Sequence, residues 1–318
     1  MKRNTKTTIC GGGVFDLDVK LNRPLAHGKQ EGEFSERLGG GVVNLAEQLQ
    51  NFGQFVQPTI YVGHDPLGRL LSESAEEIFP HGMTWPILES TRRSVILGSA
   101  TVTSRPRITA LDIPPGIADR IASADRLVIA PDHPQNAAFI ESLLALNAKS
   151  FLQLSKLQAA HASTTRLAAK AACVAINADE LSTWSGRPKL EIDEQIAIVR
   201  ERGVQDLIVT HARGVAAWIG NEFFSEAGFE VRHVLRTSSA GDKFLATYLA
   251  YIDDEGPAVA LRRGLAAAAL FVEGTSSHDN PAVIERVCQE RARVVPAVRE
   301  TATSPLRRMM TMLGGLFA

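Results

Sequence analysis

The stretch Arg236-Thr237-Ser238-Ser239-Ala240-Gly241-Asp242 decides how this chain reads. An apolar segment, Phe229 to Leu235, leads into it, and a helical pattern from Lys243 to Ile252 follows. Small residues at a helix start leave backbone N–H groups free to face an anion. A carboxylate among those donors competes with the anion they attract. Asp242 suits that place if it must accept a proton beside a bound phosphate. Taken alone, a first-turn Asp that complements the helix dipole is the commoner explanation. The rest of the chain reverses that weighing.

Outward from this stretch, apolar runs alternate with helical patterns. The strands expected are Thr7–Cys10, Thr59–Val62, Arg126–Ala130, Val174–Ile176 and Asp206–Thr210. The helices expected are Val42–Phe52, Gly68–Phe79, Gln135–Leu146, Glu194–Arg202, Pro257–Glu273 and Pro281–Glu300. Such alternation predicts an α/β fold: a mostly parallel central sheet with helices on both faces. Ligands then lie beyond the carboxyl ends of the strands. Two segments break the rhythm. Residues 16–38 and 87–113 alternate polar and apolar side chains, the period of half-exposed strands. They read either as a small β-sheet lid over the site or as ordinary edge hairpins. Residues 303–318 form a basic, then apolar, C-terminal tail after a domain spanning 1–302.

Composition narrows the class. The 318 residues are 45% hydrophobic, with 34 Lys+Arg against 35 Asp+Glu, a formal net charge of -1. That balance argues against a nucleic-acid partner. Cys10, Cys173 and Cys288 are far apart and form no metal-ligand spacing, as expected of free thiols in a reducing compartment. No secretory h-region and no membrane span are read, so the expectation is a soluble cytoplasmic protein with no membrane partner. The eight His are scattered, and none is spaced for a metal triad or a Ser-His-Asp set.

Four further features carry chemistry. Gly11-Gly12-Gly13-Val-Phe-Asp16 follows the first strand. Its glycines permit close backbone approach, and its carboxylate can hold sugar hydroxyls. The GxGxxG spacing of a dinucleotide site is missing, which disfavours a dehydrogenase. Gly39-Gly40-Gly41-Val-Val-Asn44 opens a helix whose first turn carries an amide able to serve a polyol. Gly63-His-Asp65-Pro66 reads as a helix cap. Asn177-Ala-Asp-Glu180 reads equally as a water-rich Mg²⁺ shell or as a capping box. Arg92, Arg93, Arg105 and Arg107 fall in the expected lid. A solvated charged face suits them better than contact with an anionic substrate group.

Taken in order, these motifs resemble those of the ribokinase-like sugar kinases of the phosphofructokinase-B type. The resemblance covers roughly residues 7 to 290 and is most specific in Thr237-x-x-Ala240-Gly241-Asp242. The Gly-Gly-Val-x-Asn44-x-Ala-Glu47 segment is also similar to pseudouridine kinases. The resemblance implies a three-layer ribokinase-like sandwich with a β lid, and ATP-dependent phosphorylation of a primary hydroxyl on a sugar or nucleoside. Asp242 would be the base, with Ser239, Ala240 and Gly241 forming the anion hole. Asp16, Gly40 and Asn44 would grip the substrate. Asn177, Thr210, Gly214, Thr237 and Ala267 would meet the nucleotide. Asn177 and Glu180 would organise Mg²⁺, mostly through water. A homodimer formed through the lid is implied too.

This chain departs from the family pattern Asp-Thr-x-Gly-Ala-Gly-Asp. Arg236 replaces the first Asp and Ser239 the first Gly, and Ala212 stands where Gly is usual. The segment Leu152-Gln-Leu-Ser-Lys156 lacks an Asp often found at that strand end. Arg236 would repel a monovalent cation and supply its own fixed charge, which predicts activity independent of K⁺. Ser239 carries a Cβ that disfavours positive φ. These changes define an alternative: a ligand-binding regulatory relative with little turnover.

Overall fold

Strand residues in the middle of the chain send alternate side chains into two different cores. Leu127, Ile129, Leu207 and Val209 pack into one, while Val128 and Ile208 pack into the other. Only a sheet covered on both faces uses such continuously apolar strands. The computed structural model describes residues 5–22, 31–97, 100–109, 112–130 and 136–294.

In chain order the elements begin with β1 (Lys6–Gly12), β2 (Val14–Leu21), β3 (Gly32–Gly39), α1 (Gly41–Asn51), β4 (Phe55–Gly63), α2 (Pro66–Ile78) and β5 (Met83–Leu88). Next come β6 (Arg92–Leu97), β7 (Ala100–Thr103), α3 (Pro115–Ala122), β8 (Arg126–Ile129), α4 (Ala137–Leu144), β9 (Ser150–Gln153), α5 (Lys156–Ala159) and α6 (Thr164–Ala168). The chain continues through β10 (Cys173–Asn177), α7 (Ala178–Ser185), α8 (Ile192–Glu201), β11 (Asp206–His211), β12 (Gly214–Ile219) and β13 (Glu222–Ala227). It closes with α9 (Ala240–Val272) and α10 (Pro281–Glu290).

The large sheet has nine strands in the order β13-β12-β11-β10-β9-β8-β1-β4-β5. Its strands from β11 to β5 are parallel, and β12 and β13 close one edge as an antiparallel hairpin. Helices α1, α2, α9 and α10 contribute to the core on one face, and α3 to α8 to the core on the other. This is the three-layer sandwich expected. The small sheet is also present, with the order β3-β2-β6-β7. Residues 87–88 of the expected lid segment belong instead to β5 of the large sheet, paired with β4.

Helix α9 merges two expected helices across a kink at Gly256 and Pro257, where Gly256 has φ 77°. Proline cannot donate to the preceding turn, so the axis bends there. Helix α10 stops at Glu290, ten residues short of the expected end. Tertiary contacts override the helical pattern: Glu230 donates its N–H to Ala292 O, and Val294 to Gly228 O. These bonds draw the chain back along the sheet edge. The tail at 303–318 lies outside the described residues. Among the described residues, no helix is long and apolar enough to cross a membrane.

Arg126 ties the sheet to α9. Its side chain is only 6% exposed, and its guanidinium donates to Asp253 Oδ2 at 2.7 Å and to Leu249 O at 2.8 Å. Hydrogen bonds to charged groups contribute about 1.5–3 kcal/mol each, and Asp253 keeps solvent as an alternative partner. Arg126→Met is therefore expected to lower stability by about 2 kcal/mol. Urea unfolding checks this: an unchanged midpoint at an unchanged slope would show that the clamp contributes nothing.

Candidate active site

The left-handed backbone at Ser239 starts α9. Ser239 has φ 70° and ψ 4°, and among the described residues no other non-glycine has positive φ. A helix entered this way turns its first amides outward. Ala240 N–H donates to Thr237 O at 3.2 Å and Lys243 N–H to Ser239 O at 3.1 Å. Among the described residues, no acceptor takes the N–H groups of Gly241 and Asp242. Two donors and the positive end of a long helix are therefore available to an anion.

Asp242 is held in place by side chains from two other elements. Asn44 Nδ2, on the first turn of α1, donates to Asp242 Oδ2 at 2.9 Å and to Ser239 Oγ at 2.9 Å. Gln153 Nε2, at the end of β9, donates to Asp242 Oδ1 at 2.7 Å. Burial pushes the carboxyl pKa up, and the bonds from Gln153, Asn44 and Ser239, with the Lys243 charge, pull it back only in part. The result is a carboxylate with raised proton affinity, oriented by amides. Lys243 itself is buried, with its ammonium 3.4 Å from Asn44 O.

A cavity of about 430 Å³ opens in front of Asp242. It lies between the carboxyl ends of the large sheet and the inner face of the small one, where ligands of such sheets bind. Asp16, Gly40, Asn44, Asn177, Glu180, Thr210, Thr237, Ser239, Gly241 and Asp242 all line it. Of the other expected residues, Ala240 adjoins as the first residue of α9. Gly214 and Ala267 are buried outside the lining, Gly214 opposite Ala227 in the β12–β13 ladder and Ala267 in the core face of α9.

Asp16 is 8% exposed, with Oδ2 3.5 Å from Arg37 Nη2. Its carboxylate lies where a side chain on Gly39 would sit, since a Cβ there would be 2.0 Å from Oδ2. Asp65 caps α2, accepting from Gly68 N at 2.8 Å and Thr91 N at 3.0 Å, as the sequence suggested. Asn177 and Glu180 form a reciprocal capping box, with bonds of 2.8 and 2.9 Å. Both still face the cavity. Burial, reinforced by the carboxylates of Asp179 and Asp242, raises the Glu180 pKa to about 7 against the bonds from Asn177. A cation between Glu180 and Asp242 would relieve their repulsion. Among the described residues, no cluster of three His, Cys, Asp or Glu could hold a metal. One carboxylate with water and phosphate oxygens suits Mg²⁺, which keeps much of its hydration shell.

Sequence reasoning missed Gln153. It noted only the absence of an Asp in Leu152–Lys156, whereas the residue present there orients Asp242. It also set Arg92 and Arg105 aside as surface charges; both line the cavity, and Arg105 is exposed as well, as that reading had it. Arg93 is exposed on the other face of β6, and Arg107 is exposed. Arg236 places its guanidinium beside the loop from Thr237 to Asp242. Its guanidinium lies 3.9 Å from the centre of the Phe271 ring, and Nε donates to Phe271 O at 3.1 Å.

With this geometry in hand, the comparisons with known proteins are consistent. The model of the pfkB family carbohydrate kinases matches residues 13–282. The chain belongs to that family. Its fold is that of ribokinase from Thermotoga maritima, with a TM-score of 0.70 and 16% identity over 90% of this chain and 100% of that one. Arabidopsis thaliana ribokinase, solved with ribose and ATP, gives 0.68 and 16% over 90% and 99%. Xylella fastidiosa fructokinase with bound ATP gives 0.68 and 18% over 90% and 99%. No curated protein matches the sequence.

Glu180 supplies a pH test of this site. The folded protein keeps it protonated up to about pH 7, whereas a free Glu titrates near 4.5. Between those values the folded state binds more protons than the unfolded one, so this group lowers stability as pH rises, with its full cost present above pH 7. Without added metal, the stability of wild type relative to Glu180→Gln should fall across that window. Urea unfolding at several pH values reads this difference, and parallel curves would show that Glu180 is not a strained, buried carboxyl.

Proposed function

We propose that this protein transfers the γ-phosphoryl group of ATP to a primary hydroxyl of a sugar or nucleoside. The observation that carries this reading is the placement of Asp242. A buried carboxylate of raised proton affinity stands beside two unpartnered helix-start amides, in a cavity that Asp16 also lines.

The substrate hydroxyl would displace one amide donor from Asp242 and hydrogen-bond to the carboxylate in its place. Asp242 takes the proton as that oxygen bonds to the γ-phosphorus, and the bond to the β–γ bridging oxygen breaks to release ADP. The amides of Gly241 and Asp242 stabilise charge on the transferring group. Asp16 and Gly40 would fix the acceptor, and Asn177, Thr210 and Thr237 would lie along the nucleotide. Glu180 would hold Mg²⁺ largely through water; the ion, when bound, neutralises phosphate charge. The Arg236 guanidinium, seated on Phe271, supplies a permanent positive charge behind the loop. Ser239 keeps the left-handed conformation that a glycine would take, which weighs against the reading as a binder without turnover.

Asp242→Asn should lower turnover at least about 100-fold with little change in ATP affinity. ADP release with Mg·ATP over a panel of sugars and nucleosides reads this, run with and without K⁺. Full activity in the variant would remove Asp242 as the base, and strong K⁺ activation would remove Arg236 as the substitute charge.

The small sheet supports a second part of the proposal, a homodimer. Its outer face carries Phe34, Val95 and Val102, which are 64%, 42% and 75% exposed. Register places Val19 opposite Phe34 and Val95 opposite Val102, so these residues share one apolar face. A second copy would cover it. Val102→Asp should then convert dimer to monomer in sedimentation velocity; wild type already monomeric at micromolar concentration would refute the interface.

A further inference from the structure

Each oxygen of Asp242 already accepts from one amide, so a hydroxyl that is to give up its proton there competes with them. The two amides are not held alike. Asn44 is anchored at three further points. Its Nδ2 also donates to Ser239 Oγ at 2.9 Å, its backbone N–H donates to Gly40 O at 3.0 Å, and its carbonyl accepts from Lys243 Nζ at 3.4 Å. The Asn44 side chain therefore supports the left-handed Ser239 as well as Asp242, and moving it would disturb the start of α9.

Gln153 is held differently. Among the described residues, its side chain makes one hydrogen bond, from Nε2 to Asp242 Oδ1 at 2.7 Å. The carboxylate fixes which end of the amide faces it, because Oε1 would be repelled there. That leaves Oε1 shielded from solvent, and among the described residues no donor reaches it. An unpaired buried acceptor is unfavourable, so this pose is tight at one end and unsatisfied at the other. The backbone beneath is fixed: Gln153 pairs with Ala175 of β10, and Leu154 N–H donates to Ala175 O at 3.1 Å. Movement is therefore confined to side-chain torsions. Gln153 also lines the cavity. A hydroxyl oxygen bonded to a carboxylate stands at about 2.5–2.7 Å. The amide nitrogen, at 2.7 Å, occupies the place that an acceptor oxygen would take.

We infer that Gln153 is a place-holder: its amide stands in for the acceptor hydroxyl at Asp242, keeps water off the carboxylate while ATP is bound, and gives way when the acceptor arrives. The inference rests on the reading of Asp242 as the base of a kinase. Water at that position would be a competing acceptor. Its oxygen would bond to the γ-phosphorus and the bond to the β–γ bridging oxygen would break. Asp242 would take one proton, and ADP and inorganic phosphate would leave. A hydroxyl carried by a sugar or nucleoside is brought in by the contacts that hold the rest of the molecule, so it can displace the amide. A lone water has no such contacts to draw on. Asn44 stays on Oδ2 throughout, so the exchange at Oδ1 does not lose the aim of the carboxylate.

Phosphate release from Mg·ATP without any acceptor, measured on the full chain, tests this. Gln153→Ala should raise it at least about tenfold over wild type, and adding Asp242→Asn should return it to the wild-type level. With a sugar or nucleoside that is turned over, Gln153→Ala should lower the acceptor KM at least about threefold and keep the ATP KM within about twofold. Gln153→Asn, whose amide stops one methylene short of Asp242, should shift both in the same direction and serves if the alanine variant folds poorly. A residue that merely supports Asp242 behaves in the opposite way, with slower turnover of the acceptor and no gain in hydrolysis. That result would overturn the place-holder and leave the kinase reading intact. Raised, Asp242-dependent hydrolysis in Gln153→Ala with no turnover of any acceptor would uphold the place-holder and sink the sugar or nucleoside as substrate. A rise that survives Asp242→Asn would overturn the place-holder, since the water would then be activated elsewhere.

Discussion

Everything at this site depends on keeping one carboxylate ionisable at the start of a long helix without letting it cap that helix. Asp242 sits among donors that would satisfy it at once if it turned back onto its own backbone. Two amides prevent that. Asn44 and Gln153 each take one oxygen of Asp242, and they come from α1 and β9, elements far apart in the chain. The carboxylate is thus aimed by tertiary structure, and the helix-start amides stay available to an anion. The sandwich places both supports: α1 and α9 contribute to the same core, and β9 ends beneath it. The clamp of Arg126 on Asp253 and Leu249 fixes the same helix from the sheet side.

The small sheet obeys an inverted rule. Most half-exposed sheets turn apolar residues to protein and polar ones to solvent. Here Asp16, Arg92, Ser94 and Thr103 face inward to a wet cavity, and Val95 and Val102 face outward. The inversion makes sense if the inner face handles a polar ligand and the outer face meets a partner. It also explains why alternation alone placed Arg92 among the solvated charges. Period-2 patterning marks the two faces of a strand but does not say which one is inside.

Other features were legible because their causes are local. The strands of the large sheet are apolar runs, since both faces are covered. The kink at Gly256–Pro257 is written in two residues. The loop from Thr237 to Asp242 is a run of small residues before a helix, whatever surrounds it. Asn177 and Glu180 were legible as a capping box, which the pair forms at the start of α7, and both also line the cavity. Gln153 was illegible because its role is a contact 89 positions away in the chain. Nothing around Gln153 differs from an ordinary strand end. The end of α10 was misread for a similar reason, since its pattern continues while bonds to Gly228 and Glu230 divert the backbone.

The departures from the family pattern look like losses in sequence and like exchanges in structure. A left-handed serine costs about 1–2 kcal/mol relative to glycine. Ser239 is held there by a hydrogen bond from Asn44 at 2.9 Å, and its hydroxyl also bonds to Asp242. The strained residue therefore joins the network that orients Asp242, and part of the cost is offset there. Arg236 follows the same logic. A guanidinium laid 3.9 Å over Phe271 and bonded to its carbonyl cannot diffuse away as a bound ion can. It fixes positive charge beside the loop at the expense of adjustability, and partial burial, with the Arg37 charge nearby, lowers its pKa.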